Sequence, residues 1–250
     1  MKYLNASYTT RTQHTEGKNQ KASMVKKPPW LEPSDMDYDL GEMCRHAVDR
    51  SQGELVDINL EYFATDKLLS YVAERSGKLK RLSIACCYGM LCDGSVEAVQ
   101  KLPLLEELSL THTDITTEGI EALGRSCPRL TSFKLNNSCY MGSGDDFGEG
   151  DFRNEEALAI AKNLPALQNL QLIGNTMTNE GLLAILDGCP HPVSLDLRLC
   201  KNVSLNEVLS SRISGQIKDV KHPGNSLKGF EFSFDTCGDE DEMSDDMSDY

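Results

Sequence analysis

"LEELSLTHTDITTEGIEALGRSCPRL", residues 105–130, decides how this chain folds. Leucines at 105, 108 and 110 are followed by a mostly polar run, then by Cys127-Pro128 and Leu130. Leu108 and Leu110 are two residues apart, as are side chains on one face of an extended strand, whereas a helical core calls for i, i+3, i+4, i+7. The residues that follow must return the chain. Thr117 to Arg125 suits a short helix, with Glu118 in its first turn, where the helix dipole favours an anion.

This rhythm repeats. Residues 115–128, "ITTEGIEALGRSCP", and 177–190, "MTNEGLLAILDGCP", share one register, with a Cys-Pro pair at the same offset, and predict a second helix over Asn179 to Leu186. The L-x-x-L-x-L phrase recurs at 55, 79, 105, 130 and 167 and, with proline first, at 192, in steps of 24, 26, 25, 37 and 25 residues. A period near 25 with that phrase is the signature of leucine-rich repeats. One such unit cannot hide its leucines alone. Stacked at ~4.8 Å per strand, the units build a parallel ladder in which each buried leucine contributes roughly 1.5–3 kcal/mol. The expected fold is therefore an α/β leucine-rich-repeat solenoid, a ribonuclease-inhibitor-like horseshoe arc with the β ladder on the concave face and helices outside. Three residues past each last strand apolar residue, Phe63, Cys87, Thr113, Ser138, Asn175 and Cys200 fill the slot that usually takes Asn or Cys, where the chain leaves the strand.

Charge and patterning divide the chain into three. Residues 1–38 are a basic tail expected to be disordered, with six Lys/Arg against Glu16 in the first 29. Residues 39–222 are the repeat domain of about six repeats, and residues 223–250 an acidic tail, also expected to be disordered, whose last sixteen residues, 235–250, hold eight acids and no base. Within 39–52, Leu40, Met43, Cys44, Ala47 and Val48 have helical spacing, fitting a cap over the first strand. "IKDV", Ile217 to Val220, supplies a last degenerate strand, and Pro192 is tolerated at a strand's first residue. The 37-residue step holds an inserted loop at 139–154, read as solvated. Its glycines lack GK[ST], its acids would repel phosphate, and their order fails the calcium-loop pattern. Ser244 and Ser248 stand among acids, where phosphorylation is one reading and simple solvation the other.

Several chemistries are disfavoured. The net charge of −14 argues against a nucleic-acid partner. No apolar stretch approaches a membrane span, and an odd nine cysteines without a signal peptide point to reduced thiols inside the cell, in the nucleus or cytoplasm. Cys86-Cys87 and Cys92 have no second pair for zinc, so neither metal nor cofactor is expected. Cys44-Arg45-His46 and Cys189-Pro190-His191 juxtapose thiol and imidazole only along the chain, with both cysteines on apolar faces; no catalysis is expected.

What remains is the concave face. Side chains alternate along a strand, so the outward set comprises Asp57, Asn59, Glu61, Arg81, Ser83, Glu107, Ser109, Thr111, Lys134, Asn136, Asn169, Gln171, Asp196 and Arg198, with His112 at the end of its strand. The same phrase positions hold Ala85, Ser132, Ile173 and Ser194. This polar, varied surface suits another protein rather than a small molecule, which would need a closed apolar pocket.

The run "YDLGEMCRHAVDRSQGELVDINLEYFATDKLLSYVAERSGKLKRLSIACCY" from Tyr38, with "KLPLLEELSL", "EALAIAKNLPALQNLQLIGN", "GLLAILDGCPH" and "LDLRLC", resembles the plant F-box/LRR proteins of the Skp-interacting-partner group over residues 38 to 222. The resemblance implies that the repeats recruit a target protein while an N-terminal F-box docks a Skp-type adaptor of an SCF ubiquitin ligase. "PPWLEPSD", residues 28–35, looks like the opening phrase of that F-box, leaving Trp30, Leu31, Glu32 and Pro33 as a remnant. The residues between it and the repeats are too few for the adaptor-binding helices. Met24 is then a candidate original start, and residues 1–23, Ser/Thr-rich and basic, also fit a transit peptide. Three readings stay open: a substrate receptor, an F-box-less scaffold or decoy that binds a target without ubiquitination, and a relic without function.

Overall fold

The computed structural model describes residues 20–23, 39–87, 97–113, 115–136 and 154–230. The remnant at Trp30 to Pro33, slot residue Ser138, the loop before Asn154 and the acids after residue 234 lie outside them. Eight strands form one all-parallel sheet in chain order. These are β1 (Gln20–Ser23), β2 (Leu55–Glu61), β3 (Arg81–Ala85), β4 (Glu107–Thr111), β5 (Ser132–Asn136), β6 (Asn169–Gln171), β7 (Ser194–Asp196) and β8 (Asp219–Lys221). Between them run α1 (Leu40–Arg50), α2 (Asp66–Arg75), α3 (Thr117–Ser126), α4 (Glu155–Asn163), α5 (Asn179–Gly188) and α6 (Glu207–Gln216), with a short helical stretch at 97–99.

The ladder is in register where the leucine phrase puts it. Ile58 stands opposite Leu82, then Leu108, Phe133, Leu170, Leu195 and Val220. Leu82, Leu108 and Leu170 are all buried in one continuous apolar cluster that runs from Cys44 to Ile217. The phrase's first leucines, Leu55, Leu79, Leu105, Leu130 and Leu167, fill the same interior. Each helix packs its apolar stripe there too: Ile120 and Leu123 from α3, Ile160 from α4, Leu182, Ile185 and Leu186 from α5.

Short polar side chains start the helices by accepting a hydrogen bond from an otherwise orphaned N–H. Asp39 caps α1, Thr65 α2, Thr116 α3, Thr178 α5 and Asn206 α6. Asn154 departs from this pattern, spending its amide on the next repeat instead: its Nδ2 donates to Thr178 Oγ1 at 3.0 Å and its Oδ1 accepts from Thr178 N–H at 2.9 Å. Asn179 makes a matching pair of bonds to Ser204 one repeat further on.

Two boundaries differ from the sequence reading. Gln20–Ser23, in the segment expected to be a disordered tail, pairs in parallel with β2, Ala22 opposite Ile58. Backbone groups at an open sheet edge accept a strand that carries no leucine phrase, which is why the repeat pattern gave no sign of it. Helix α1 buries Leu40, Cys44 and Val48 as its spacing predicts, and stands beside α2 in the row of helices. At the other end β8 realises the "IKDV" expectation, but ordered turns continue past 222: Pro223 O accepts from Leu199 N–H at 3.0 Å and Ser226 O from the Arg198 guanidinium at 3.1 Å.

Candidate functional site

The face of the sheet turned away from the helices carries its side chains in columns, because every strand is parallel and in register. The first runs Asp57, Arg81, Glu107, Ser132, Asn169, Ser194 and Asp219. The second runs Asn59, Ser83, Ser109, Lys134, Gln171, Asp196 and Lys221. Most of these residues are half-buried or exposed, Asp196 being the buried exception. The structure thus brings ten of the expected surface residues onto two adjacent lines: Asp57, Asn59, Arg81, Ser83, Glu107, Ser109, Lys134, Asn169, Gln171 and, at its buried margin, Asp196.

The third column is a correction. Glu61, Ala85, Thr111 and Asn136 stand in register, and all are buried, as are Ile173, Arg198 and His112. The cause is a turn placed one residue later. Tyr62, Cys86, His112, Gly174 and Leu199 all adopt positive φ, from +50° to +72°, and each donates its N–H to a carbonyl of the next repeat at 2.9–3.0 Å. The left-handed bend follows Glu61, Ala85, Thr111, Ile173 and Arg198 directly, so these side chains stand against the turn that closes the repeat. Four of the five bends use a non-glycine residue, at a cost of roughly 1–2 kcal/mol each. Gly174 at the equivalent place was the one sequence signal for this row.

Several buried polar groups here bond one another. Asn136 Nδ2 donates to Thr111 Oγ1 at 3.1 Å, while its Oδ1 accepts from Gln171 Nε2 at 3.1 Å and from Ile173 N–H at 3.2 Å. The last bond spans the step that carries the insertion, where β5 and β6 share three register pairs against five between β4 and β5. Asn59 donates to Glu61 Oε1 at 2.6 Å. Arg198 forks onto Asp196, Nε to Oδ1 at 2.9 Å and its terminal nitrogen to Oδ2 at 2.7 Å, and Lys221 Nζ reaches the same carboxylate at 3.3 Å. Arg81 pairs with Asp57 at 2.9 Å and Lys134 with Glu107 at 2.9 Å. Burial pushes the His112 imidazole below its usual value, favouring the neutral ring.

The described cysteines are buried, and four of them hydrogen-bond backbone carbonyls. Cys127 and Cys189, the paired Cys-Pro positions, end α3 and α5, and their thiols donate to carbonyls of the preceding repeat, Leu102 O and Leu164 O, both at 3.5 Å. Cys87 and Cys200, in the strand-exit slot, donate to Ala85 O at 3.2 Å and Leu172 O at 3.0 Å. Thr113 fills the same slot, with its hydroxyl on Thr111 O at 3.2 Å. Burial pushes Cys44 and Cys200 up to about 12 and Cys127 and Cys189 up to about 11. An activated nucleophile needs the opposite shift, so neither Cys44 beside His46 nor Cys189 beside His191 is poised as a thiolate. Among the described residues, no three His, Cys, Asp or Glu side chains gather as metal ligands, and no helix is long and apolar enough to cross a membrane.

Comparison with known proteins agrees with this architecture. The family model for "Leucine Rich repeat" matches residues 101–124, spanning the end of one unit and the start of the next. The chain is 44% identical to F-box/LRR-repeat protein 23 of Arabidopsis thaliana over 76% of its own length and 41% of that protein's. It is 44% identical to the F-box protein SKIP19 of the same plant, over 86% of this chain and 66% of the relative. For F-box/LRR-repeat protein 22 the figures are 41% identity, 85% and 68%. The chain therefore spans less than two thirds of the length of the first two of these relatives.

Proposed function

Because the chain belongs to the family of F-box/LRR-repeat proteins represented in Arabidopsis, we propose that its repeat ladder is the target-binding module of an SCF-type ubiquitin ligase subunit. The observation that carries this reading is the pair of side-chain columns, polar, varied and held in register from β2 to β8. A flat array of hydroxyl, amide and charged groups complements a protein surface, whose recognition spreads over many polar contacts. In this reading the chain contributes binding rather than chemistry: burial disfavours the thiolate at Cys44, Cys127, Cys189 and Cys200, and the ladder holds a target while partner subunits act on it. The nucleus or the cytoplasm is where such a module would work. Co-expressing the full chain with a Skp-type adaptor and testing for a stable complex by size exclusion examines assembly. A complex at micromolar concentration supports direct incorporation into the ligase, and separate elution of the folded chain overturns it.

A second reading, a scaffold or decoy that grips a target without passing it to a ligase, is favoured by one internal observation. Trp30 to Pro33 resembles the opening of an F-box, and Asp39 already caps the first helix of the repeat domain. The few residues between them cannot form a pair of adaptor-binding helices. The readings diverge in the turnover of a captured target when the chain is overexpressed. Faster turnover supports the receptor, slower turnover the decoy.

A further inference from the structure

Most charged side chains of the ladder's open face meet the opposite sign inside the protein. In the first column the signs alternate across neighbouring strands, Asp57, Arg81, Glu107, with Arg81 bonded to Asp57 and Lys134 of the second column bonded to Glu107. An anion approaching Arg81 meets a carboxylate on either side at strand spacing, ~4.8 Å. A cation approaching Glu107 meets Arg81 and Lys134. At the far end Asp196 is held by both Arg198 and Lys221. This balance contrasts with the chain as a whole, whose net charge is −14. Between these pairs runs a band without charge: Asn59, Ser83 and Ser109 along the second column, then Ser132, Asn169 and Ser194 along the first, with Ser194 Oγ donating to Asn169 Oδ1 at 2.9 Å. All six are half-buried or exposed.

We propose that this band is the recognition line of the open face and that its occupant is an extended, uncharged polar segment of a target protein, selected by hydrogen bonds and discriminated against charge of either sign. The inference rests on the target-binding reading and adds the chemistry of the target. The band crosses six strands, β2 to β7, so it spans roughly 24 Å at strand spacing, the reach of about seven residues of extended chain. Small hydroxyl and amide side chains can both donate to and accept from a peptide backbone, and they lose little rotamer freedom in doing so. A charged residue placed on the same line brings a like charge close to one already present, a penalty that serves specificity. Lacking a dominant sign, the surface gives no long-range steering, and binding responds weakly to salt.

The test pans the full chain against a displayed library of random linear peptides of about eight residues, the length the band accommodates. Enriched sequences depleted in Asp, Glu, Lys and Arg, binding with less than about a threefold change in Kd between about 50 and 500 mM NaCl, are the expected result. The variant Arg81→Gln, an exposed position, takes from Asp57 the guanidinium bonded to it, while Glu107 keeps Lys134, and shifts the enriched pool toward Lys and Arg. Enrichment of charged peptides by the unmodified chain overturns the proposal, as does an Arg81→Gln pool indistinguishable from the original. If neither protein enriches any peptide while both melt cooperatively, the target-binding reading of this face falls along with it.

Discussion

Asp196→Ala tests whether the buried ion cluster at the end of the ladder holds its last repeats in place. The carboxylate accepts three guanidinium hydrogen bonds from Arg198, one from the Arg198 backbone N–H at 3.3 Å and one from Lys221 Nζ. The Arg198 side chain is 4% exposed, so removing Asp196 leaves a guanidinium in the interior with Ser226 O as its remaining bonded partner at that end. Breaking such a pair costs about 3–5 kcal/mol, because the surviving charge keeps its desolvation penalty. Lys221 is half exposed and adds little, as surface pairs do. In a domain of this size each kcal/mol lowers the melting temperature by about 2–4 °C, giving a drop of roughly 6–20 °C if unfolding stays cooperative. In a stacked repeat protein the loss falls first on the neighbouring units, so amide exchange over 194–226 should accelerate before exchange in β2 to β4. The paired variant Asp196→Leu/Arg198→Met removes both charges and should recover most of the loss. Urea unfolding and hydrogen-exchange mass spectrometry read both effects. A cost below about 1 kcal/mol for Asp196→Ala, or a double variant no better than the single one, refutes the reasoning.

Further outcomes follow from the helix row and the buried titratable groups. A Cβ added at Gly188 would land on the Ala161 carbonyl of α4, so Gly188→Ala should destabilise by about 1–3 kcal/mol in urea unfolding, whereas Gly215→Ala, with open space around it in α6, should be neutral or stabilising by up to ~1 kcal/mol. The folded state holds Cys44, Cys127, Cys189 and Cys200 well above the ordinary thiol range, so the unfolded chain loses these protons first. Stability is full below about pH 9 and falls as pH rises toward 11–12, and in the native state these thiols should resist alkylation at pH 8 while reacting fully in denaturant. His112 works in the opposite direction: its pKa is lowered, so the unfolded chain binds the proton more readily and stability is lost as pH falls below about 6.5, a slope that His112→Gln should flatten in pH-dependent melts.

The fold was legible because a single constraint, burial of stacked leucines, repeats itself along the chain. Leu82, Leu108 and Leu170 sit in one register column because strand alternation leaves each repeat no other way to bury them. The site was legible only in part. Alternation places Ser83 and Glu107 on the open face, and equally predicts that Thr111, Asn136 and Arg198 face outward; all three are buried, a left-handed bend follows Thr111 and Arg198, and such a bend is invisible when the residue is Tyr, Cys, His or Leu instead of Gly. The Cys-Pro pairs were readable as apolar positions, but their thiol bonds to the preceding repeat depend on how closely successive helices stack. Strand β1 lacked any leucine phrase because it pairs through its backbone. The internal pairing of Asp57, Arg81, Glu107 and Lys134 depends on lateral register between strands, a relation between repeats that reading one strand at a time does not supply.

Site-specific photocrosslinking tests the central claim, that a protein target lies on the open face of the ladder. A photoreactive amino acid is placed at Ser109 in the uncharged band or at Ser211, exposed on α6, and each full chain is irradiated in extract. The account predicts one discrete adduct from Ser109, lost when Ser132→Arg is added, and none from Ser211. Adducts from Ser211 alone, or an adduct at Ser109 indifferent to Ser132→Arg, would contradict it.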